Sequence, residues 1–148
     1  MARFWYVERA VKQGTERVAV STRRGLTDVT AEVRRVVRGL GLRHGLCTVF
    51  IPHTSASLVI QENADPAVLT DLEAFLSRLV PEGDRLYTHR AEGDDDMPAH
   101  VRSALTRTSE QVPILDGDLA LGTWQALYVW EHRRGRRRRE IVVHAFGD

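Results

Sequence analysis

Apolar and polar positions alternate over residues 3–11 and again over 17–21, which predicts two strands turning at Gln13, Gly14 and Thr15. From Val29 the period lengthens: Val29, Val33, Val36, Val37 and Leu40 fall on one helical face, with Asp28 as N-cap and Gly41 as stop. Residues 46–51 (LCTVFI) read as a buried strand closed by Pro52, and 57–61 as a second strand. Asp65 and Pro66 open a helix reaching Val80, with Val68, Leu72, Phe75, Leu76 and Leu79 on one side, and Pro81 ends it. Asp96 and Pro98 repeat that signal, so a short third helix is expected from Pro98 to Thr106, with Val101 and Leu105 inward. Asp116-Gly117 joins strands 111–115 and 118–121, and a last hairpin is expected from 123–132 and 140–146. So many adjacent strands exclude a doubly wound parallel sheet. The class predicted is α+β, a single domain over 1–148 with a largely antiparallel sheet and about three helices.

Composition narrows the class further. With 43% hydrophobic and 28% charged residues, the 148-residue chain can bury a core and is neither disordered nor a disulfide scaffold. It has no apolar run long enough for a membrane span and no apolar leader core at its start, so the expected location is cytoplasmic and no membrane partner is expected. Cys47, between apolar neighbours, is expected to be a buried small hydrophobe. The positive charge is twenty arginines and one lysine, with six arginines between Arg133 and Arg139 interrupted only by Gly135. A basic run can contact nucleic-acid phosphates. Because alternating segments flank it, the run reads instead as a solvated hairpin tip, dispensable for the chemistry, and nucleic acid is disfavoured as a partner.

Candidate chemistry resides in three of the six histidines. His53 follows a buried strand, His89 lies in the polar loop YTHRAEGDDD, and His100 stands in the first turn of the third helix. With Asp94, Asp95 and Asp96 they could form a divalent-metal site or an acid/base cluster; the plainer reading is surface histidines beside helix-capping aspartates. Three imidazoles suit zinc better than magnesium. His53, His89 and His100 are expected to converge, with Asp94 as ligand or support. Arg90 and Arg102, beside the third helix's start, are candidates for holding a phosphorylated substrate. There is no glycine-rich phosphate loop, and no nucleotide cofactor is expected. His132 shares a strand face with Trp124, Tyr128 and Trp130, either core or binding wall. Such aromatics, left uncovered by three short helices, point to a subunit interface.

Three segments, HTSASLVIQENADP (53–66), YTHRAEGDDDMPAHVRSAL (87–105) and ILDGDLALGTWQALYVWEHR (114–133), closely resemble the YjbQ family, also called the secondary thiamine-phosphate synthase family. The resemblance implies an α+β subunit with a bent or bifurcated sheet, assembled as a homotrimer. It implies weak thiamine-phosphate synthase activity, joining a pyrimidine diphosphate to a thiazole phosphate with loss of pyrophosphate. The family's polar positions fall on His53, Thr54, Ser55, Asn63, Asp65, His89, Asp94 and His100; His53, His89, Asp94, His100 and Asn63 are the catalytic candidates, Thr54 and Ser55 the substrate contacts. Glu131-His132 departs from the Glu-Phe of many relatives. Two rival readings stand beside this one: a zinc-type hydrolase or lyase acting on a small phosphorylated substrate, and a non-catalytic trimeric ligand-binding module.

Overall fold

The structure, a computed structural model, describes residues 11–148. Its strands are β1 (Lys12–Asp28), β2 (Gly45–Phe50), β3 (Ala56–Glu62), β4 (Ser109–Leu115), β5 (Asp118–Leu119) and β6 (Gln125–Gly147), and its helices α1 (Thr30–Leu40), α2 (Pro66–Leu79) and α3 (Asp96–Leu105). All pairings are antiparallel, in the order β1-β6-β2-β4-β5, and β3 also pairs with β6. The α+β class and the curled, split sheet are as expected. No helix among the described residues is long and apolar enough to cross a membrane.

β6 is the spine. Fully extended, its 23 residues would span roughly 75 Å at about 3.3 Å per residue. A domain of this size has a radius of gyration near 15 Å, so the strand has to bend. It does so where the register with β1 jumps from Arg23↔Arg136 to Gly25↔Glu131, leaving Arg24 alone opposite residues 132–135, with Gly135 at φ 76°. Below the bend, residues 125–131 pair with β3; above it, residues 142–147 pair with β2. Between those stretches runs the β2–β3 connection, whose Ser55 carbonyl accepts the His132 amide at 3.3 Å.

Both long strands correct the sequence reading. Residues 3–10 lie outside the described part, but Gln13, Gly14 and Thr15 are no turn: they pair with Phe146, Ala145 and His144. A Cβ at Gly14 would lie 2.4 Å from Leu40 Cδ2, so the Leu40 side chain would have to shift to admit one. Likewise Arg133–Arg139 is not a hairpin tip, because β1 pairs with residues 136–139 and carries the strand through. Turn-forming residues were overridden here by tertiary pairing.

The core lies between the sheet and α1, whose Val33, Val36 and Val37, with Val29, are buried among Val18, Val49, Val129 and Ile141. Each such side chain contributes roughly 1.5–3 kcal/mol on burial. Asp28 accepts from the Thr30 amide at 2.8 Å and Gly41 ends the helix at φ 63°. Asp65 caps α2 through the Ala67 amide. The inner faces of α2 and α3 are more polar than expected. On α2 only Leu76 is fully buried, while Phe75 and Leu79 are exposed. α3 starts at Asp96 and turns Asp96, Ala99, Arg102 and Ser103 inward instead of Val101 and Leu105. Tyr128 and Trp130 are buried too, hydrogen-bonded to the Glu62 carbonyl and the Glu73 carboxylate, so Trp124 alone of the three aromatics is exposed. The expected aromatic face for a subunit interface is therefore not exposed, apart from Trp124.

Candidate functional site

α3 and the preceding loop bring three ligating side chains together. His89, Asp96 and His100 each offer an atom within 4.8 Å of the others. Asp96 and His100 are four residues apart and so share one helix face. The Asp96 carboxylate is buried, with Oδ2 2.7 Å from His89 Nε2 and 3.4 Å from His100 Nε2, while Oδ1 is bound by the Arg133 guanidinium. His100 Nδ1 lies 3.0 Å from the Thr54 carbonyl oxygen. A carbonyl only accepts, so Nδ1 carries the proton and a neutral ring turns its Nε2 lone pair toward Asp96. Two lone pairs facing across 3.4 Å repel unless a cation or a proton lies between them. That separation is also about the edge of a tetrahedron with bonds near 2.1 Å, whereas the 2.7 Å between His89 Nε2 and Oδ2 is a hydrogen-bond distance that a shared ion would have to lengthen. Two imidazoles and a carboxylate, one imidazole oriented by a backbone carbonyl, fit a divalent ion of the zinc type.

Beside this group lies a cavity of about 310 Å³ lined by Thr54, Ser55, Glu92, Asp96, His100 and three arginines, Arg133, Arg137 and Arg139. Arg133 donates to Asp95 at 3.0 Å and Arg139 forks onto Glu131. Burial pushes the Asp95 carboxyl up, but the Arg133 guanidinium and the Arg134 amide outweigh it and hold Asp95 below the usual range. Glu131, fully buried, is likewise raised by burial and brought below the usual range by Arg139, Thr22 and the Arg133 amide.

His53 remains outside the three-residue group. Its Nε2 accepts the Glu140 amide at 3.0 Å, which uses the lone pair expected to bind metal, and burial together with the Arg139 charge lowers its pKa. Asp94 is exposed in a small cleft also lined by His89. Asn63 stands beyond the far end of β3, eight residues or roughly 26 Å of extended chain from Ser55. Asp65 serves as the α2 cap. Arg90 turns its guanidinium back to the Tyr87 and Arg85 carbonyls. Arg102 cannot meet a substrate from its place: its side chain is 0% exposed and donates to the Val80 carbonyl.

Known proteins share this architecture and sequence. The family described as UPF0047 protein YjbQ-like matches residues 15–148. The chain belongs to the YjbQ-like UPF0047 family. A UPF0047 protein of Synechocystis is 53% identical over 93% of this chain and 94% of its own length. The UPF0047 protein YjbQ of Salmonella typhimurium is 38% identical over 84% of this chain and 91% of its own. Among solved structures, a YbjQ-like protein of unknown function from Sulfolobus solfataricus superposes with a TM-score of 0.85 at 26% identity, covering 94% of this chain and 100% of that one. A yjbQ/UPF0047 family protein of Clostridium acetobutylicum gives 0.78 at 37% identity, covering 86% and 97%.

In this YjbQ-like chain, sequence reasoning placed Asp96 among the aspartates of a possible metal or acid/base cluster but favoured Asp94, although the i, i+4 spacing of Asp96 to His100 was visible. It missed Arg133, Arg137, Arg139 and Glu131 because the run was placed at a solvated tip. An acidic residue at 131 beside that run was the available signal.

Proposed function

We propose that this YjbQ-like protein is an enzyme that holds a divalent cation between His89, Asp96 and His100 and acts on a small phosphorylated substrate in the adjoining cavity. The observation that carries the reading is the ligating triad opening onto an arginine-lined pocket. A bound divalent ion supplies Lewis acidity toward a phosphoryl or carbonyl oxygen. The chain's own residues do the rest: Thr54 orients His100, Arg133 holds the Asp96 carboxylate, and the arginines receive negative charge as it develops on a departing group. Metal-assisted hydrolysis or elimination on one substrate fits the zinc-type donors. Thiamine-phosphate synthesis is the second reading, supported by arginines placed to take a departing pyrophosphate. Both readings include the homotrimer, for which a mass of three chains by light scattering is the measure.

Metal analysis of the purified protein tests the first premise: we expect one zinc or similar ion per chain, lost in Asp96→Asn and His100→Ala and retained in His53→Ala. Asp96→Asn loading as the wild type does would refute it. Pyrophosphate released only when pyrimidine diphosphate and thiazole phosphate are both present selects the synthase, and phosphate released from one substrate selects hydrolysis or elimination. An occupied metal without turnover of any phosphorylated compound selects the binding module.

A further inference from the structure

Resting on that reading of the site, we propose that Arg137 and the Nη1 edge of Arg139 form the seat of the substrate's phosphoryl group, with buried Glu131 the positioning residue that aims Arg139 at it. Residues 137 and 139 are two apart on β6 and so present their side chains to one face, and both line the cavity beside His100. Their charges are not equivalent. Arg133 is matched by Asp95 and Asp96, and Arg139 by Glu131, whereas Arg137 has no ion-pair partner among the described residues. Arg137 is therefore the unmatched cation on the cavity wall.

Arg139 supplies direction. Its Nε and Nη2 reach the two Glu131 oxygens, each at 2.6 Å, and Nη2 also reaches Ser55 Oγ at 2.9 Å. Nη1 has no hydrogen-bond partner among the described residues, and Arg139 lines the cavity. Glu131 accepts further hydrogen bonds from the Thr22 hydroxyl at 2.7 Å and the Arg133 amide at 3.0 Å, so four donors fix one carboxylate and that carboxylate fixes the guanidinium. A phosphate accepts from a pre-aimed planar fork and is drawn by a mobile unmatched charge. Sulfate, with the same tetrahedral shape and a comparable negative charge at neutral pH, is the natural competitor.

Inorganic phosphate and pyrophosphate titrated calorimetrically into the full chain, with and without zinc, test this. Saturable binding is expected in the wild type, weakened about tenfold or more in Arg137→Gln, as loss of a charge-assisted contact implies. Arg137→Lys, which keeps the charge, should bind within about threefold, while Arg139→Lys, which loses the fork, should weaken about tenfold. Glu131→Gln should weaken phosphate while zinc occupancy stays complete, a split that general loosening would not give; if that variant fails to fold, the Arg139→Lys comparison carries the same inference. His89→Ala should lose metal yet bind phosphate within about threefold of the zinc-free wild type, so the metal reading and this one fail separately. Unchanged phosphate affinity in Arg137→Gln, equal behaviour of the two lysine variants, or no binding by the wild type would overturn the proposal.

Discussion

Lowering the pH from 7.5 to 5.0 should destabilise the fold by about 2 kcal/mol through one residue, His132. Its ring is 0% exposed, its Nε2 meets Ser57 Oγ at 2.8 Å, and its Nδ1 lacks a hydrogen-bond partner among the described residues. Burial and then the nearby Arg102 charge push its pKa down to about 3. The unfolded chain titrates near 6.5, so it binds more protons than the native state at every pH between the two values. Stability is therefore unaffected by this group above about pH 6.5, falls as the pH drops below it, and stops falling near pH 3. One and a half pH units below the unfolded value, at about 1.36 kcal/mol per unit, gives about 2 kcal/mol at pH 5.0. Urea denaturation of the wild type and of His132→Gln, whose amide can replace Nε2 at Ser57, isolates the effect. The variant should lose about 2 kcal/mol less than the wild type between the two pH values. Equal losses, or an imidazole resonance for His132 that titrates above pH 6, would refute the reasoning.

Two further outcomes concern the fold. Gly45→Ala should cost about 3 kcal/mol in urea denaturation, because its Cβ would meet the Phe146 carbonyl oxygen at 2.1 Å and the backbone on both strands would have to part. Asp65→Ala should cost about 1 kcal/mol through the lost cap at Ala67, with metal occupancy unchanged.

Where local chemistry and tertiary packing agree, the sequence was readable. α1 was legible because its valines follow one face and Asp28 and Gly41 mark its ends; β2 and β3 were legible as short apolar runs bounded by breakers. β1 and β6 were not, because Gly14 and Gly135 look like turn residues. One lies in the paired strand against the Leu40 side chain, and the other bends a strand without reversing it. The site was half legible. His89 and His100 were read correctly as neighbours of an aspartate, but periodicity carries no information on what faces them across the fold, and Arg133 approaches Asp96 from 37 residues away. Arg102 looked available from its position in α3; only its packing beneath Val80 removes it from solvent.

The inward face of β6 explains why Arg137 and Arg139 line the site while their neighbours Arg136 and Arg138 stand on the surface. Leu127 and Val129 below the bend, and Ile141, Val143 and Ala145 above it, all belong to the core. Glu131, Arg137 and Arg139 have the same odd-numbered positions, yet are charged. That polar interval coincides with the length over which β6 has partnered β3 only to Glu131 and has not yet met β2 at Val142. The sheet opens there, and the β2–β3 connection fills one side with Ser55. A buried ion pair seldom stabilises a fold more than apolar residues of the same volume would. Leucine or methionine at 131 and 139 would continue the core through the gap and close the cavity. The Glu131–Arg139 pair is therefore poorly explained by folding alone, and well explained by a cavity wall that must present an oriented positive charge beside Asp96 and His100.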